Sequence, residues 1–269
     1  MNFAQTLMNN FDPEIAGRLL SRREAAQKLG EAAQKLGKLG AGLALASVAV
    51  QLGLLSTATF GKGKMPQAVN DVLNFALTLE HLEAEFYTKG LLATNLIPAS
   101  DKPIFNQISK HENAHVILLQ SILGSAATTK PQFDFTANGT FADVFTNYQT
   151  FLALSQGFED TGVRAYKGQA GNLMTDNAAL TTALQIHSVE ARHASEVRRL
   201  RNQKGWITNA STDVSALQPI YAGENNTTQG SVEVAALSID VPASSVTEAF
   251  DEPLTSEQVL AIASMFMVS

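Results

Sequence analysis

Two short segments of this chain place carboxylates and imidazoles where a helix should be apolar. In ISKHENAHVILL, residues 108–119, Glu112 and His115 stand three apart between Ile108 and Leu119, and that spacing puts all four on one side of a helix. In ALQIHSVEARHASEV, residues 183–197, Glu190 and His193 repeat the spacing between Ala183, Ile186 and Val197. An ionised carboxylate in an apolar interior costs on the order of several kcal/mol unless something pairs with it. The chain must therefore fold so that a partner reaches both faces.

Four helices follow from apolar periodicity and end signals. The first runs over residues 66–92, opened by Pro66 and closed near Gly90 and Pro98. The second runs from Asp101, a candidate N-cap with Pro103 in the first turn, to Leu123 before Gly124. SAATTKPQFDFTANGT reads as an extended crossover. The third helix runs from about Phe141 to Lys167, and the fourth from about Ala178 to Lys204, stopping at Gly205. One long connection between the second and third helices, with short ones elsewhere, is the connectivity of an all-α four-helix bundle with a single crossover.

The other two helices supply the missing partners. Glu80 shares a face with Leu73, Leu77, Ala84 and Tyr87; Glu159 shares one with Leu152, Ser155, Val163 and Tyr166. Glu80 precedes Tyr87 by seven residues and Glu159 precedes Tyr166 by seven. Glu80 to Glu112 is 32 residues and Glu159 to Glu190 is 31. The bundle thus reads as two copies of one helix pair, each giving Glu, an aromatic two turns on, then Glu-x-x-His.

One Glu from each of two helices and Glu-x-x-His from each of the other two is the donor set of a di-iron or di-manganese carboxylate centre in a helical bundle. The candidate ligands are Glu80, Glu112, His115, Glu159, Glu190 and His193, and the implied cofactor is two iron ions, or manganese. Four negative charges in a core need neutralising, and two divalent cations do it. The chain has no cysteine, so a metal here takes carboxylate and imidazole ligands. The alternative is a bundle whose carboxylates are protonated or paired with Arg164, Arg192 or Arg198.

LNFALTLEHLEAEFY, HENAHVILL, FEDTGVRAY and IHSVEARHASEVRRLR resemble the exported ferritin-like domain proteins of bacteria, a group related to desiccation-related proteins. The resemblance covers residues 66 to about 205, and FDPEIAGRLLSRREA near the start is similar to that group as well. It implies a ferritin-like bundle with a di-iron-type centre. Glu80 and Glu159 would be terminal carboxylates, Glu112 and Glu190 would bridge, and His115 and His193 would each cap one ion.

The flanks are of different character. Residues 1–64 carry 8 Lys/Arg and 4 Asp/Glu, whereas residues 65–269 carry 11 and 21. From Leu39 to Gly61 no residue is charged. Basic residues followed by such a run, residues 39–61, read as an export signal or membrane anchor. SRRE resembles a twin-arginine signal, although Ala25 and Ala26 stand where large apolar residues are usual. A buried amphipathic hairpin helix is the alternative. The expected location is exported, periplasmic or cell-envelope, with a membrane tether through residues 39–61. Residues 206–269 form a mixed extension. SVEVAALSIDV would give short strands, TSEQVLAIASMFMV a final helix capped by Thr255 or Ser256, and a lid over one end of the bundle is its expected role. The acidic main body disfavours nucleic acid, and Arg198, Arg199 and Arg201 are explained by the negative end of their helix. A homodimer is compatible with such a bundle.

Other residues invite weaker readings. Glu83 is the rival of Glu80, but Gly162 occupies its place in the second copy. His187 is a seventh ligand, a support for one, or a packed helix histidine. Asp160 orients a ligand imidazole or, by default, sits in solvent or a salt bridge. Tyr87 and Tyr166 pack in the core, donate to ligand carboxylates or carry a radical. Glu85 is solvated, and His81 and His111 point away from the centre. The partners of the site are metal ions and dioxygen or peroxide. Fe(II) oxidation, catalase-like peroxide disproportionation and a non-catalytic structural or accessory role all remain open at this level, and no catalytic residue is assigned.

Overall fold

Alternating apolar and polar-cored stretches of four helices decide the architecture. The computed structural model describes residues 67–237 and 242–268; the apolar run 39–61 and Pro66 lie outside them. Among the described residues, no helix is long and apolar enough to cross a membrane. Helices α1 (Gln67–Leu92), α2 (Lys102–Leu123), α3 (Tyr148–Gln169) and α4 (Asn177–Leu200) form the bundle. The amide of Asn74, early in α1, donates to the Ala126 carbonyl just past the end of α2 at 2.9 Å, so this pair is antiparallel. Helices α3 and α4 form the matching pair, joined through a 3-10 turn, Ala170–Leu173.

The helix ends follow local chemistry more closely than the spacing alone suggested. Helix α3 starts at Tyr148, later than Phe141, because Asn147 caps it by accepting from the Gln149 N–H at 3.0 Å. Phe141 lies in the turns before it, stacked on Phe266. Asp176 caps α4, accepting from the N–H groups of Ala178 and Ala179. Asp101 stands at the N-cap position of α2, but its side chain makes no capping bond; its carboxylate accepts from Tyr148 Oη at 2.7 Å and Ser100 Oγ at 2.8 Å. Helix α4 ends at Leu200, before Lys204 and Gly205, because Asn202 takes the left-handed conformation, φ 58°, as asparagine can at a helix terminus. Gly90 does not end α1. It lies inside the helix, where a Cβ would meet the Phe151 ring at 2.3 Å, and its bare backbone lets α3 approach.

Inward apolar residues form two clusters along the bundle. One holds Phe86, Phe105, Ile108, Phe151, Phe158 and Val197, with Phe86 and Phe151 stacked at 4.8 Å. The other holds Leu73, Leu77, Leu119, Tyr166, Ala183 and Ile186. Glu80, Glu112, Glu159 and Glu190 fall between these clusters in all four helices.

Residues 206–268 run along the flank of α3 rather than across one end of the bundle. A Cβ on Gly157 would meet Ile220, and one on Gly168 would meet the Leu254 carbonyl oxygen at 1.9 Å. These two glycines are about 16 Å apart along the helix axis. The extension contains a 3-10 segment Ser215–Tyr221, a two-residue hairpin of β1 (Thr228–Gln229) and β2 (Val232–Glu233), a short α5 (Ala243–Thr247) and α6 (Ser256–Ala263). Of SVEVAALSIDV only Val232 and Glu233 are strand; Val234–Ala236 is 3-10 helix, and residues 238–241 lie outside the described set. Thr255 caps α6 in a reciprocal box with Gln258. The chain then bridges back to the crossover, pairing Met267 with Phe133.

Candidate metal centre

The helical period carries all six candidate ligands inward. Glu80, Glu112, Glu159 and Glu190 are fully buried, and His115 and His193 nearly so. Their donor atoms fall into two groups, each closing within 4.8 Å: Glu80, Glu112, His115 and Glu190, and Glu112, Glu159, Glu190 and His193. Glu112 and Glu190 belong to both.

The two ends match in their outer carboxylates and phenols, and among the described residues His115 has one further carboxylate contact, from Glu190. His115 Nδ1 lies 3.1 Å from Glu80 Oε2, 3.2 Å from Glu112 Oε2 and 3.3 Å from Glu190 Oε1. His193 Nδ1 lies 3.2 Å from Glu159 Oε2 and 2.9 Å from Glu112 Oε1. Glu112 therefore turns one oxygen to each imidazole. Glu80 and Glu159 each present one oxygen to a histidine and the other to a phenol. Tyr166 Oη donates to Glu80 Oε1 and Tyr87 Oη to Glu159 Oε1, both at 2.5 Å. Burial raises both phenols well above their ordinary value, which keeps them protonated as donors.

Among the described residues, the cations paired with the carboxylates of this layer are its own two imidazoles. Among the described residues no Lys or Arg pairs with Glu80, Glu112, Glu159 or Glu190. Arg192 is exposed. Arg164 is spent on Glu224, at 2.8 Å, and Arg198 on Asp160. Burial pushes Glu80 up to about 7, against the pull of His115, and pushes Glu190 up to about 8, reinforced by Glu80 and Glu159. Burial opposes the charge on His193, but Glu159 and Glu112 outweigh it and hold the imidazole up at about 11. His115 is raised likewise by Glu112, Glu190 and Glu80 against burial.

Glu83 is also buried, but it joins neither donor group. Its burial and the four neighbouring carboxylates, Glu190 foremost, raise it well above the carboxylate range. It occupies space left open by Gly162, whose Cβ would stand 3.1 Å from Glu190 Oε2 and 3.4 Å from Glu83 Oε1. His187 lies outside the groups with a buried Nε2 that has no hydrogen-bond partner. Asp160 does not reach an imidazole. It pairs with Arg198 and accepts from Tyr221 Oη at 2.8 Å. His81 is buried. Glu85 bridges Lys89 and Lys130 near the surface.

His111 is the site residue that sequence reasoning missed. Its Nδ1 shares a 2.9 Å hydrogen bond with His193 Nε2, and its Nε2 lies 2.7 Å from the Gln107 amide nitrogen. The ring planes lie within 11° of each other with centroids 5.1 Å apart, edge to edge across that bond. Burial, with His193 as the next cause, pushes His111 down to about 4, so this imidazole is neutral. Its place next to Glu112 in α2 leaves it off that residue's face, and only the approach of α4 brings His193 to it.

The fold and this layer define a class: four-helix bundles whose core is a paired carboxylate–imidazole cluster suited to metal. The ferritin-like domain family matches residues 68–203, and the chain belongs to that family. No curated protein matches the chain.

Proposed function

We propose that the six residues Glu80, Glu112, His115, Glu159, Glu190 and His193 hold two iron or manganese ions, and that the protein oxidises Fe(II) with dioxygen or peroxide. The observation that carries this is the crowding of oxygens on each imidazole. His115 Nδ1 meets three carboxylate oxygens, and one N–H can serve at most one or two of them. Among the described residues, Glu112 Oε1 and both Glu190 oxygens are buried without a well-formed hydrogen bond, with an imidazole Nδ1 standing 2.9 Å from Glu112 Oε1 and 3.3 Å from Glu190 Oε1. Such atoms are costly when unpartnered, and a divalent cation partners several at once. The donor set of hard oxygens with imidazole suits iron or manganese.

When bound, a pair of such ions would supply two electrons, which dioxygen takes up with two protons to give hydrogen peroxide. The chain's own residues hold the arrangement together. Tyr87 and Tyr166 fix the outer carboxylates by donating to the oxygen turned away from the imidazole. The two apolar clusters exclude water above and below the layer. Glu112 and Glu190 turn their oxygens to the imidazole Nδ1 atoms rather than to a Lys, Arg or Tyr, and both belong to both donor groups.

The test is metal content of the full chain purified from its own host, beside a Glu112→Ala/Glu190→Ala double variant. Two iron or manganese ions per chain, lost in the variant, is the expected result; a native protein with no transition metal sinks the reading. Oxygen consumption on adding Fe(II), against oxygen release on adding peroxide, separates ferrous oxidation from disproportionation. The closure of the layer favours a second reading, a metal that only staples the bundle. In that case chelation lowers the melting temperature and neither reaction occurs. Export or membrane tethering through residues 1–64 is supported by their basic-then-uncharged order, and fractionation of the host's cells tests it.

A further inference from the structure

The two ends of the layer match in their outer carboxylates, phenols and inward imidazole nitrogens; they differ in Glu190, which lies 3.3 Å from His115 Nδ1 with no matching contact to His193 among the described residues, and they differ behind the histidines. His193 Nε2 is held by His111 Nδ1 at 2.9 Å. His115 has, among the described residues, no hydrogen-bond partner for its own Nε2. The sequence copies show the origin of the difference. His111 immediately precedes Glu112, and the residue immediately preceding Glu190 is Val189, which offers no acceptor. Gln107, which meets His111 at 2.7 Å, does have a counterpart in Gln185.

We propose that His111 is a positioning residue that makes the two ends of the centre inequivalent, so that the ion at His193 and Glu159 binds before, and more tightly than, the ion at His115 and Glu80. This rests on the dinuclear reading above. An imidazole that offers the Nδ1 lone pair to a cation must carry its hydrogen on Nε2. A fixed acceptor at Nε2 selects that tautomer, locks the ring and raises the basicity of Nδ1. His111 accepts at Nδ1 when its own hydrogen sits on Nε2, facing the Gln107 amide, whose oxygen can receive it after a half-turn. The two ring planes lie within 11° of each other, so the hydrogen bond runs in line from one ring to the other. His115 selects its tautomer without such help. Glu83 and the lean of Glu190 toward His115 are the other departures from symmetry. Glu83 joins neither donor group, and the carboxylate that acts on it most, Glu190, belongs to both, so its effect falls on both ions together.

The test titrates the metal-free full chain with Co(II), followed by calorimetry and visible absorption. The wild type should take up two ions in two resolved steps, separated by about 10–100-fold, the usual effect of such a supporting partner. His111→Phe keeps an aromatic ring but removes the acceptor, and should weaken the tighter step by about that factor while leaving the other, so that the steps converge. His111→Ala should do the same if the larger ring does not fit. His111→Asn, which restores an acceptor, should recover part of the separation, and Glu83→Gln should keep the steps apart. Two ions bound in a single step by the wild type, or both constants unchanged or equally weakened in His111→Phe, would overturn the inference and leave the metal centre standing. No Co(II) bound by any form would remove the dinuclear reading itself.

Discussion

Tyr87 donates to Glu159 at 2.5 Å, and Tyr166 donates to Glu80 at 2.5 Å, so each phenol serves the carboxylate of the opposite sequence copy. Helices α1 and α3 must run antiparallel for this to occur, since the later residue of each meets the earlier residue of the other. The seven-residue interval from Glu to Tyr then has a physical meaning. It is two helical turns, the offset that lets two antiparallel helices exchange a pair of identical bonds.

Removing either phenol should therefore have the same effect. Tyr87→Phe and Tyr166→Phe each leave a buried carboxylate oxygen without its donor, at a cost of about 1–3 kcal/mol. For a domain of this size that is a fall of roughly 2–10 °C in Tm. Bound metal should survive in both. Thermal unfolding with metal analysis checks the pair, and a large effect from one phenol alone would contradict the exchange.

Glu190→Gln should separate stability from metal binding. Glu190 is fully buried and pushed up to about 8, so in the metal-free protein its ionisation works against folding. The amide should raise the metal-free Tm near pH 8 by a few degrees, about 1 kcal/mol or more, while metal retention falls sharply. A metal-free Tm that drops in this variant would mean that the carboxylate is well compensated without an ion.

Above pH 6.5 the pH dependence of the metal-free protein has one sign. Glu80 rises from 4.5 to about 7 and Glu190 from 4.5 to about 8. These groups hold protons in the folded state that the unfolded chain has released, so stability is lost as pH rises from about 4.5 through 8. His193 rises from 6.5 to about 11, and its contribution is complete below 6.5 and lost as pH climbs toward 11. All three slopes point downward, and His111, lowered from 6.5 to about 4, opposes them only below pH 6.5, so Tm without metal should fall between pH 6.5 and 9. Metal competes with the same protons, and the gain in Tm on loading should grow over that range. Paired melts with and without chelator test both trends.

Arg164 ties the extension to the bundle. It is fully buried, pairs with Glu224 at 2.8 Å, and donates to the carbonyls of Ile220, Ala222 and Glu252. Arg164→Met strands a buried carboxylate and three carbonyl oxygens, and should cost about 3–5 kcal/mol. Proteolysis should then cut first within residues 206–254. An unchanged Tm would show the extension to be held by its apolar contacts alone.

Spacing and composition alone determined the all-helical fold, the single long crossover between α2 and α3, and which side of each helix faces inward. The reason is that the helical period is local, and an apolar stripe interrupted by Glu or Glu-x-x-His can be read from a few turns of chain. Tertiary structure decided the rest. Every residue of α3 from Phe151 to Tyr166 is buried, although Gln156, Asp160 and Arg164 give it a polar side that reads as solvent-facing. Those side chains are buried because Tyr221, Arg198 and Glu224 come from elsewhere in the chain to meet them. His111 likewise reads as a surface residue of α2 until α4 packs beside it and sets His193 at the edge of its ring. A pairing between residues 82 positions apart depends on how two helices approach each other, and no local period carries that information.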